Sequence, residues 1–240
     1  MDRLHLDQHI SQQFNSELAA LTRQVLAMGG LVEQQLSTAL QAHAEQDARR
    51  TDEVVARESE VNAAELDIDA RCTQILARRQ PAASDLRLVL AVVRMVTDLE
   101  RIGDEAERIA KKADKLAGAE VAERYGMRLA QMGMLVRDQL RGALDTFARM
   151  DDIGALERLR RDREVDVLYK ELAGMLVELM QQDAARVPAA LELLWCARSL
   201  ERIGDRCKNL CEQVIYLVRG KDVRHTGLAR SLPPETHVEG

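Results

Sequence analysis

The sequence contains the same hexapeptide twice. Leu-Glu-Arg-Ile-Gly-Asp occupies residues 99–104 and again residues 200–205. Residues 28–40 also resemble residues 132–144, with Met-Gly, Leu-Val, Gln-Leu and Ala-Leu in matching places. Chance repetition of six residues in a chain of 240 is rare even when the composition is biased, so the repeat indicates a duplicated unit. The chain is therefore predicted to fold as two similar halves.

The composition and the periodicity of apolar residues indicate helices. Aromatic residues make up 2% of the chain, hydrophobic residues 46%, and there are four prolines. A β-sandwich or barrel needs β-branched and aromatic residues at period two with frequent turn residues, so an all-β fold is excluded. Apolar residues recurring every three and four positions predict six helices, near residues 6–45, 48–78, 84–116, 121–150, 153–183 and 188–218. Long helices with short connections pack antiparallel, which predicts an all-α fold of two tandem three-helix bundles.

The predicted domain division follows the helices. Residues 1–117 are expected to form the first bundle and residues 118–225 the second. Residues 226–240, with Pro233-Pro234 and no apolar periodicity, are expected to be a disordered tail. The third helix of each half has the clearest core seam, with apolar residues stepping by four and three: Leu88, Val92, Met95, Leu99, Ile102, Ala106 and Ile109, then Leu193, Cys196, Leu200, Ile203, Cys207, Leu210 and Val214. The four cysteines form no CxxC pair and are interpreted as small core residues.

The charge balance excludes several classes of protein. The chain has 34 basic and 40 acidic residues, a formal net charge of -6, whereas nucleic-acid binding needs clustered positive charge. So few aromatic residues also leave no platform on which bases could stack. The first residues lack the apolar core of a signal peptide, and no uncharged run approaches the ~20 apolar residues of a membrane span. We therefore expect a cytoplasmic protein with no membrane span and no nucleic-acid partner.

Each copy of the hexapeptide carries two carboxylates four residues apart. Glu100 and Asp104 lie on one face of a predicted helix, as do Glu201 and Asp205. Carboxylates so placed must be solvated, paired with cations, protonated or bridged by a metal ion. The spacing alone is weak evidence because acidic residues are frequent in this chain. The stronger observation is that both pairs continue an apolar stripe that should face a neighbouring helix.

The glycine inside each hexapeptide and the residues of the second helices add to this hypothesis. Glycine within a helix costs roughly 1 kcal/mol relative to alanine, so its presence in both copies indicates a close approach of backbone or ligand. The second helices offer matching oxygen ligands: Asp162 and Asp166 in one half, and their repeat equivalents Glu58 and Asn62 in the other. Two helices could thus present four oxygen side chains per bundle, a set suited to Mg, Mn, Ca or oxygen-ligated Fe.

An alternative interpretation needs no metal. Asp104 could pair with Arg101 or Arg108, which would make surface ion pairs worth ~0–1 kcal/mol, and Asp205 has cations at similar spacing. Glu100 has no cation three or four residues away, which favours a ligand role. No glycine-rich phosphate loop, nucleophile elbow or Glu-x-x-His pair of a di-iron bundle is present. From the residues alone, both the metal and the ion-pair interpretations remain open.

Four segments together resemble the PhoU family of phosphate-specific transport system accessory proteins. They are Asp85-Leu-Arg, residues 98–104, the second copy at residues 200–205, and the run Tyr216-Leu-Val-Arg-Gly-Lys-Asp-Val-Arg-His. The resemblance covers roughly residues 8–225. It implies two three-helix bundles, metal clusters at E(D)xxxD motifs, frequent homodimers and no catalytic turnover. Fe, Mn, Mg and Zn are the candidate metals.

The resemblance also implies a function and a set of ligands. It implies a cytoplasmic regulator, peripherally associated with membrane complexes, that restrains the phosphate ABC transporter and its sensor histidine kinase when phosphate is plentiful. Carried over by position, the implied metal ligands are Glu100, Asp104, Asp162, Asp166, Glu201 and Asp205, with Glu58 and Asn62 as an imperfect fourth pair. The alternatives are a structural helical adaptor without metal and, from a third class, a metal-dependent hydrolase.

The two predicted sites differ in formal charge. The second set carries four carboxylates, whereas neutral Asn62 leaves the first set with three. Because ligand charge helps to set the affinity for a hard divalent cation, the sequence predicts that the second site binds metal more tightly.

Overall fold

The computed structural model describes residues 3–45, 47–161 and 163–224. Within these residues every regular element is helical, which confirms the predicted all-α fold. The elements are α1 (Arg3–Glu45), α2 (Ala48–Arg79), α3 (Ala83–Leu116), α4 (Glu120–Arg149), α5 (Asp152–Arg161), α6 (Arg163–Gln182), a 3₁₀ turn (Ala184–Arg186) and α7 (Val187–Arg219). Asp162 and the tail at residues 226–240 lie outside the described residues.

The helices form two three-membered bundles, as the duplication predicts. In the first, α1, α2 and α3 all pack against one another; in the second, α4 and the α5–α6 stretch pack around α7. The fifth predicted helix corresponds to α5 and α6, on either side of residue 162. The other five begin and end within a few residues of their predicted bounds. The division of the chain at residue 117 stays a prediction, although it falls between the end of α3 and the start of α4.

Local sequence explains several helix ends. The side chain of Asp47 caps α2 by accepting the N–H of Arg49 at 3.0 Å, which satisfies one of the free donors of the first turn. Proline in the first turn of α7 costs no hydrogen bond, since the N–H it lacks would have no partner there. Gly220 ends α7 with a φ of 67°, a left-handed conformation that glycine adopts without strain, and its N–H donates to the Tyr216 carbonyl at 2.9 Å.

The core is one apolar cluster that runs through both bundles. The predicted seams of the third helices are buried in it, apart from half-buried Leu88. All four cysteines are buried, which agrees with their interpretation as core residues. Burial raises the pKa of the thiols of Cys72 and Cys196 to about 12, so both remain uncharged at neutral pH.

The two halves pack through repeated residues. The interface between α3 and α7 is the largest of any pair of elements, and α1 also contacts α4. A Cβ on Gly29 would overlap the side-chain methyl groups of Leu144, and a Cβ on Gly133 would overlap those of Leu40. Gly29 and Gly133 are equivalent in the repeat, as are the two leucines. The contacts are therefore reciprocal, as across an approximate twofold axis, and each glycine gives the opposite leucine its space.

Within residues 3–45, 47–161 and 163–224, no helix has an apolar stretch long enough to cross a bilayer.

We predict that neighbouring glycines of α1 respond in opposite ways to alanine. A Cβ on Gly30 meets nothing within 4 Å, so Gly30→Ala should raise the free energy of unfolding by about 1 kcal/mol through helix propensity. Gly29→Ala gains the same propensity but displaces Leu144, and should be less stable than Gly30→Ala by about 1–3 kcal/mol. Urea unfolding measures both. Equal stability of the two variants would contradict the reciprocal packing.

Candidate metal-binding carboxylate clusters

The first half places a buried carboxylate opposite the first ExxxD pair. Glu58 on α2 is 8% exposed, and its Oε2 accepts a hydrogen bond of 2.6 Å from Nε2 of Gln35 on α1. Burial raises the pKa of Glu58; the Gln35 bond opposes this shift, and the carboxylates of Asp104, Glu107 and Glu100 add to it. The carboxylates of Glu58 and of the first ExxxD pair therefore repel one another between α2 and α3, and that they share a metal stays a prediction.

The glycine of the first hexapeptide makes this arrangement possible. A Cβ on Gly103 would lie 3.0 Å from Oε1 of Gln35 and 3.0 Å from Oε2 of Glu58, closer than ordinary packing allows. The predicted close approach at this glycine is thus made by polar side chains of two neighbouring helices. Oε1 of Gln35 and Oε1 of Glu58 are buried and accept no hydrogen bond from the part of the chain that the structure describes. Two buried acceptors without donors leave a concentration of negative potential beside Gly103.

Two further carboxylates belong to this group, and the sequence analysis missed both. Burial raises the pKa of Glu65 on α2, and neighbouring Asp69, Asp104 and Glu58 raise it further, while Arg101 lowers it. Glu107 on α3 acts on Glu58 and pairs with Lys111 at 2.7 Å. Helical spacing could have found them, since Glu65 follows Glu58 by two turns and Glu107 lies three residues beyond Asp104.

We call these five residues the first carboxylate cluster: Glu58, Glu65, Glu100, Asp104 and Glu107. Burial is the main cause of the raised pKa of Glu100, followed by the charges of Asp104 and Glu65. Asn62, the predicted fourth ligand, is exposed on α2, and no described hydrogen bond involves its side chain. Asp104 also has a cation nearby, because Arg108 lies 3.6 Å away, but the same guanidinium is closer to Glu105, at 2.7 Å. The ion-pair interpretation therefore has only weak support at Asp104, since its nearest cation is closer to another carboxylate.

The second half repeats the arrangement with fewer described carboxylates. Burial raises the pKa of Glu201 on α7; Arg198, which donates to it at 2.8 Å, opposes the shift, and Asp205 and Asp166 add to it. We call Asp166, Glu201 and Asp205 the second carboxylate cluster. Asp162, the remaining predicted ligand, lies outside the described residues.

A glutamine side chain also lies close to Gly204, the glycine of the second hexapeptide. A Cβ on Gly204 would lie 3.2 Å from Oε1 of Gln139, the repeat equivalent of Gln35. Oε1 of Gln139 and Oε2 of Glu201 are both buried without a hydrogen-bond donor among the described residues. Each half therefore places a glutamine oxygen that lacks a described donor beside a helix glycine.

The donor set fits a hard cation, although the described side chains do not converge on one point. Among the residues that the structure describes, no three His, Cys, Asp or Glu side chains are placed to hold a metal ion. The four atoms named above that lack a described hydrogen-bond partner are oxygens, which is the donor type of Mg, Mn and Fe rather than of soft metals. The metal sites stay a prediction, supported by donor chemistry and not by an assembled coordination shell.

The structure changes the charge comparison between the halves. Glu65 and Glu107 bring the first cluster to five carboxylates. Their repeat equivalents in the second half are Tyr169 and Lys208, so the second set stays at four even with Asp162 included. The charge count, which from sequence favoured the second half, now favours the first.

Removing the buried carboxyl of Glu58 should make the stability of the protein less sensitive to a rise in pH. The folded-state pKa of Glu58 is raised, so the folded chain binds this proton more tightly than the unfolded chain, and stability is lost as pH rises through the folded-state pKa. In metal-free protein, Glu58→Gln should gain unfolding free energy over wild type at neutral pH, and the gain should shrink as pH falls. Urea titrations from about pH 5 to about pH 8 measure this.

The exposed carboxylate of Glu60, on the same helix, supplies the control for that measurement. Glu60→Gln should not reproduce the gain in unfolding free energy at neutral pH, because this side chain is exposed and its replacement removes no buried carboxyl. A Glu58→Gln difference that does not change with pH would show that the carboxyl carries no burial cost.

Several known proteins are similar to this chain in sequence and in fold. The PhoU domain matches twice, at residues 25–113 and 129–214. The chain is 45% identical to the phosphate-specific transport system accessory protein PhoU of Serratia marcescens, over 95% of this chain and 93% of that protein, and 43% identical to its Escherichia coli K12 counterpart, over 95% and 94%. The crystal structure of PhoU from Pseudomonas aeruginosa superposes with a TM-score of 0.84 and 43% identity, covering 87% of this chain and all of that one. The chain therefore belongs to the PhoU family.

Proposed function

We propose that the protein is a non-enzymatic regulator of phosphate uptake and phosphate-starvation signalling. The observation that carries this proposal is the similarity, over almost the whole of both chains, to relatives named as accessory proteins of the phosphate-specific transport system. In this role the protein restrains the phosphate ABC transporter and its sensor histidine kinase when phosphate is plentiful. The kinase, a homodimeric state and a cytoplasmic location at the inner membrane surface are implied by the family resemblance.

Metal binding is the second part of the proposal. The residues that would hold the ions are those of the first cluster in one half, and Asp162, Asp166, Glu201 and Asp205 in the other. A bound cation would supply positive charge to the oxygens that accept no hydrogen bond, which removes the repulsion among the carboxylates and draws α2 towards α3 and α6 towards α7. The carboxylates would then stiffen the surfaces that partner helices contact.

One observation favours the alternative of a helical adaptor without metal. Arg108 is near Asp104, Arg198 pairs with Glu201, and Lys111 pairs with Glu107, so part of the negative charge is already balanced by protein cations. In this alternative the clusters are ion-pair networks that fix the helix register. Metal analysis distinguishes the two.

We predict that protein purified without chelator contains metal and that both clusters contribute to binding. Glu100→Gln with Asp104→Asn should lower Mn²⁺ affinity by at least about tenfold, because each substitution removes a charged oxygen ligand. Glu201→Gln with Asp205→Asn should lower it at the second site, and the larger loss is expected in the first half, where the charge count is higher. Elemental analysis and calorimetric Mn²⁺ titration measure content and affinity.

The matched control for these variants is Glu60→Gln with Glu164→Gln. These glutamates are repeat equivalents, exposed, and on the same helices as the clusters. Their replacement should leave metal content unchanged. If wild-type protein contains no metal and binds none on titration, the adaptor alternative stands.

The regulatory role makes a prediction in cells. Deleting the gene should raise phosphate uptake and starvation-gene expression in phosphate-rich medium, because the proposed role is a brake. Complementation with the wild-type chain should restore repression, and complementation with Gly29→Val, which overfills the α1–α4 interface, should restore less. Reporter expression and labelled-phosphate uptake are the measurements. Unchanged expression in the deletion strain would remove the proposed regulatory function and leave the physical description of the clusters intact.

A further inference from the structure

A large basic groove lies between α3 and α7, and it shares one residue, Asp205, with the second carboxylate cluster. Its volume is about 1140 Å³, and Leu159, Arg160 and Arg163, together with Val223 and Arg224 after α7, complete its walls. Its described lining includes eight cationic side chains, seven of them arginines, against three acidic ones, Asp98, Asp205 and Glu212. The formal excess is five positive charges in a chain whose net charge is -6. Such local segregation of positive charge in a concavity concentrates anions there.

Several of the arginines are held in place by protein partners. Arg206 on α7 donates to Asp98 at 3.1 Å, and Asn209 donates to the same carboxylate at 3.2 Å. Asp98 is 7% exposed and belongs to α3, so this contact joins the two walls of the groove at its floor. Arg94 lies over the ring of Tyr216, with 5.7 Å between its Cζ and the ring centroid. These side chains are ordered before any ligand arrives, which lowers the entropic cost of binding.

Two other arginines of the groove are available to a ligand. Arg101 and Arg163 are both exposed, and neither forms an ion pair with any residue in the described part of the chain. A guanidinium presents a planar fork of N–H donors that matches two oxygens of a phosphate group. The arginine-rich composition therefore points to phosphoryl oxygens rather than to a single carboxylate.

The size and lining of the groove define the ligand further. A single orthophosphate would fill a small part of the volume and could reach few of the eight cations. No aromatic side chain is among the described lining residues, so a nucleobase would have no ring on which to stack. We propose that the basic groove binds an oligophosphate, a chain of several phosphoryl groups joined in a row without a base. This inference goes beyond the proposed regulatory function and does not depend on metal in the carboxylate clusters.

The test is calorimetric titration of the full chain, freed of metal on a chelating resin, with sodium tripolyphosphate, orthophosphate and ATP. Tripolyphosphate should bind at least about tenfold more tightly than orthophosphate, because it engages several guanidinium groups at once. Arg101→Gln with Arg163→Gln should weaken tripolyphosphate binding by about tenfold or more, since both lost contacts are charge-assisted. Both side chains are exposed, so the double variant should keep the wild-type circular dichroism.

The matched control is Arg23→Gln with Arg137→Gln, which removes the same charge from exposed positions outside the groove. It should change the tripolyphosphate affinity by less than about twofold. Three results would each overturn the proposal: no binding of tripolyphosphate, an equal loss in the control variant, or unchanged binding after Arg101 and Arg163 are replaced. Tighter binding of ATP than of tripolyphosphate would instead identify a nucleotide site and also overturn the assignment.

Discussion

The close approach of helices at four glycines is the constraint on which the rest of the structure depends. Gly29 and Gly133 let leucines of the opposite half lie against a helix backbone, so the two bundles share one core. Gly103 and Gly204 serve a different purpose, since polar side chains of neighbouring helices occupy the space that a Cβ would fill. In a chain with so few aromatic residues, small residues at helix crossings provide the close packing that larger side chains provide elsewhere.

The charged side chains gather in two kinds of region, one acidic and one basic. Carboxylates gather where α2 faces α3 and where α6 faces α7, beside the glycines of the hexapeptides. Cations gather where α3 faces α7, so one helix carries acidic residues on one side and arginines on another. The Asp98–Arg206 contact crosses between the halves within the basic groove and anchors both walls. The same helix pair thus holds the bundles together and defines the chemistry of the groove.

The periodicity of apolar residues predicted the helices and their core seams, because an apolar stripe along a helix is stable only when it is buried against another element. The duplication predicted two equivalent bundles. The glycine in each hexapeptide indicated a close approach of backbone or ligand, whereas the structure has side chains of neighbouring helices at both positions. The content of the carboxylate clusters was predicted less well. Equivalence in the repeat pointed to Asn62, which is exposed, whereas Glu65 and Glu107 join the first cluster at helical spacing from Glu58 and Asp104, a signal that the repeat does not carry because their equivalents are Tyr169 and Lys208. The basic groove could not be predicted, because its cations come from separate stretches and the negative net charge conceals them.

The reciprocal contacts of Gly29 with Leu144 and of Gly133 with Leu40 have a consequence for how such a chain arose. Each half offers the same glycine and the same leucine to its counterpart, which is the self-complementary arrangement of an isologous dimer. A single-bundle ancestor could therefore have paired with itself before its gene was duplicated and fused. Fusion frees the two copies from having to remain identical. In this protein Glu65 and Glu107 of one half are matched in the repeat by Tyr169 and Lys208 of the other, so the two carboxylate clusters no longer carry the same charge.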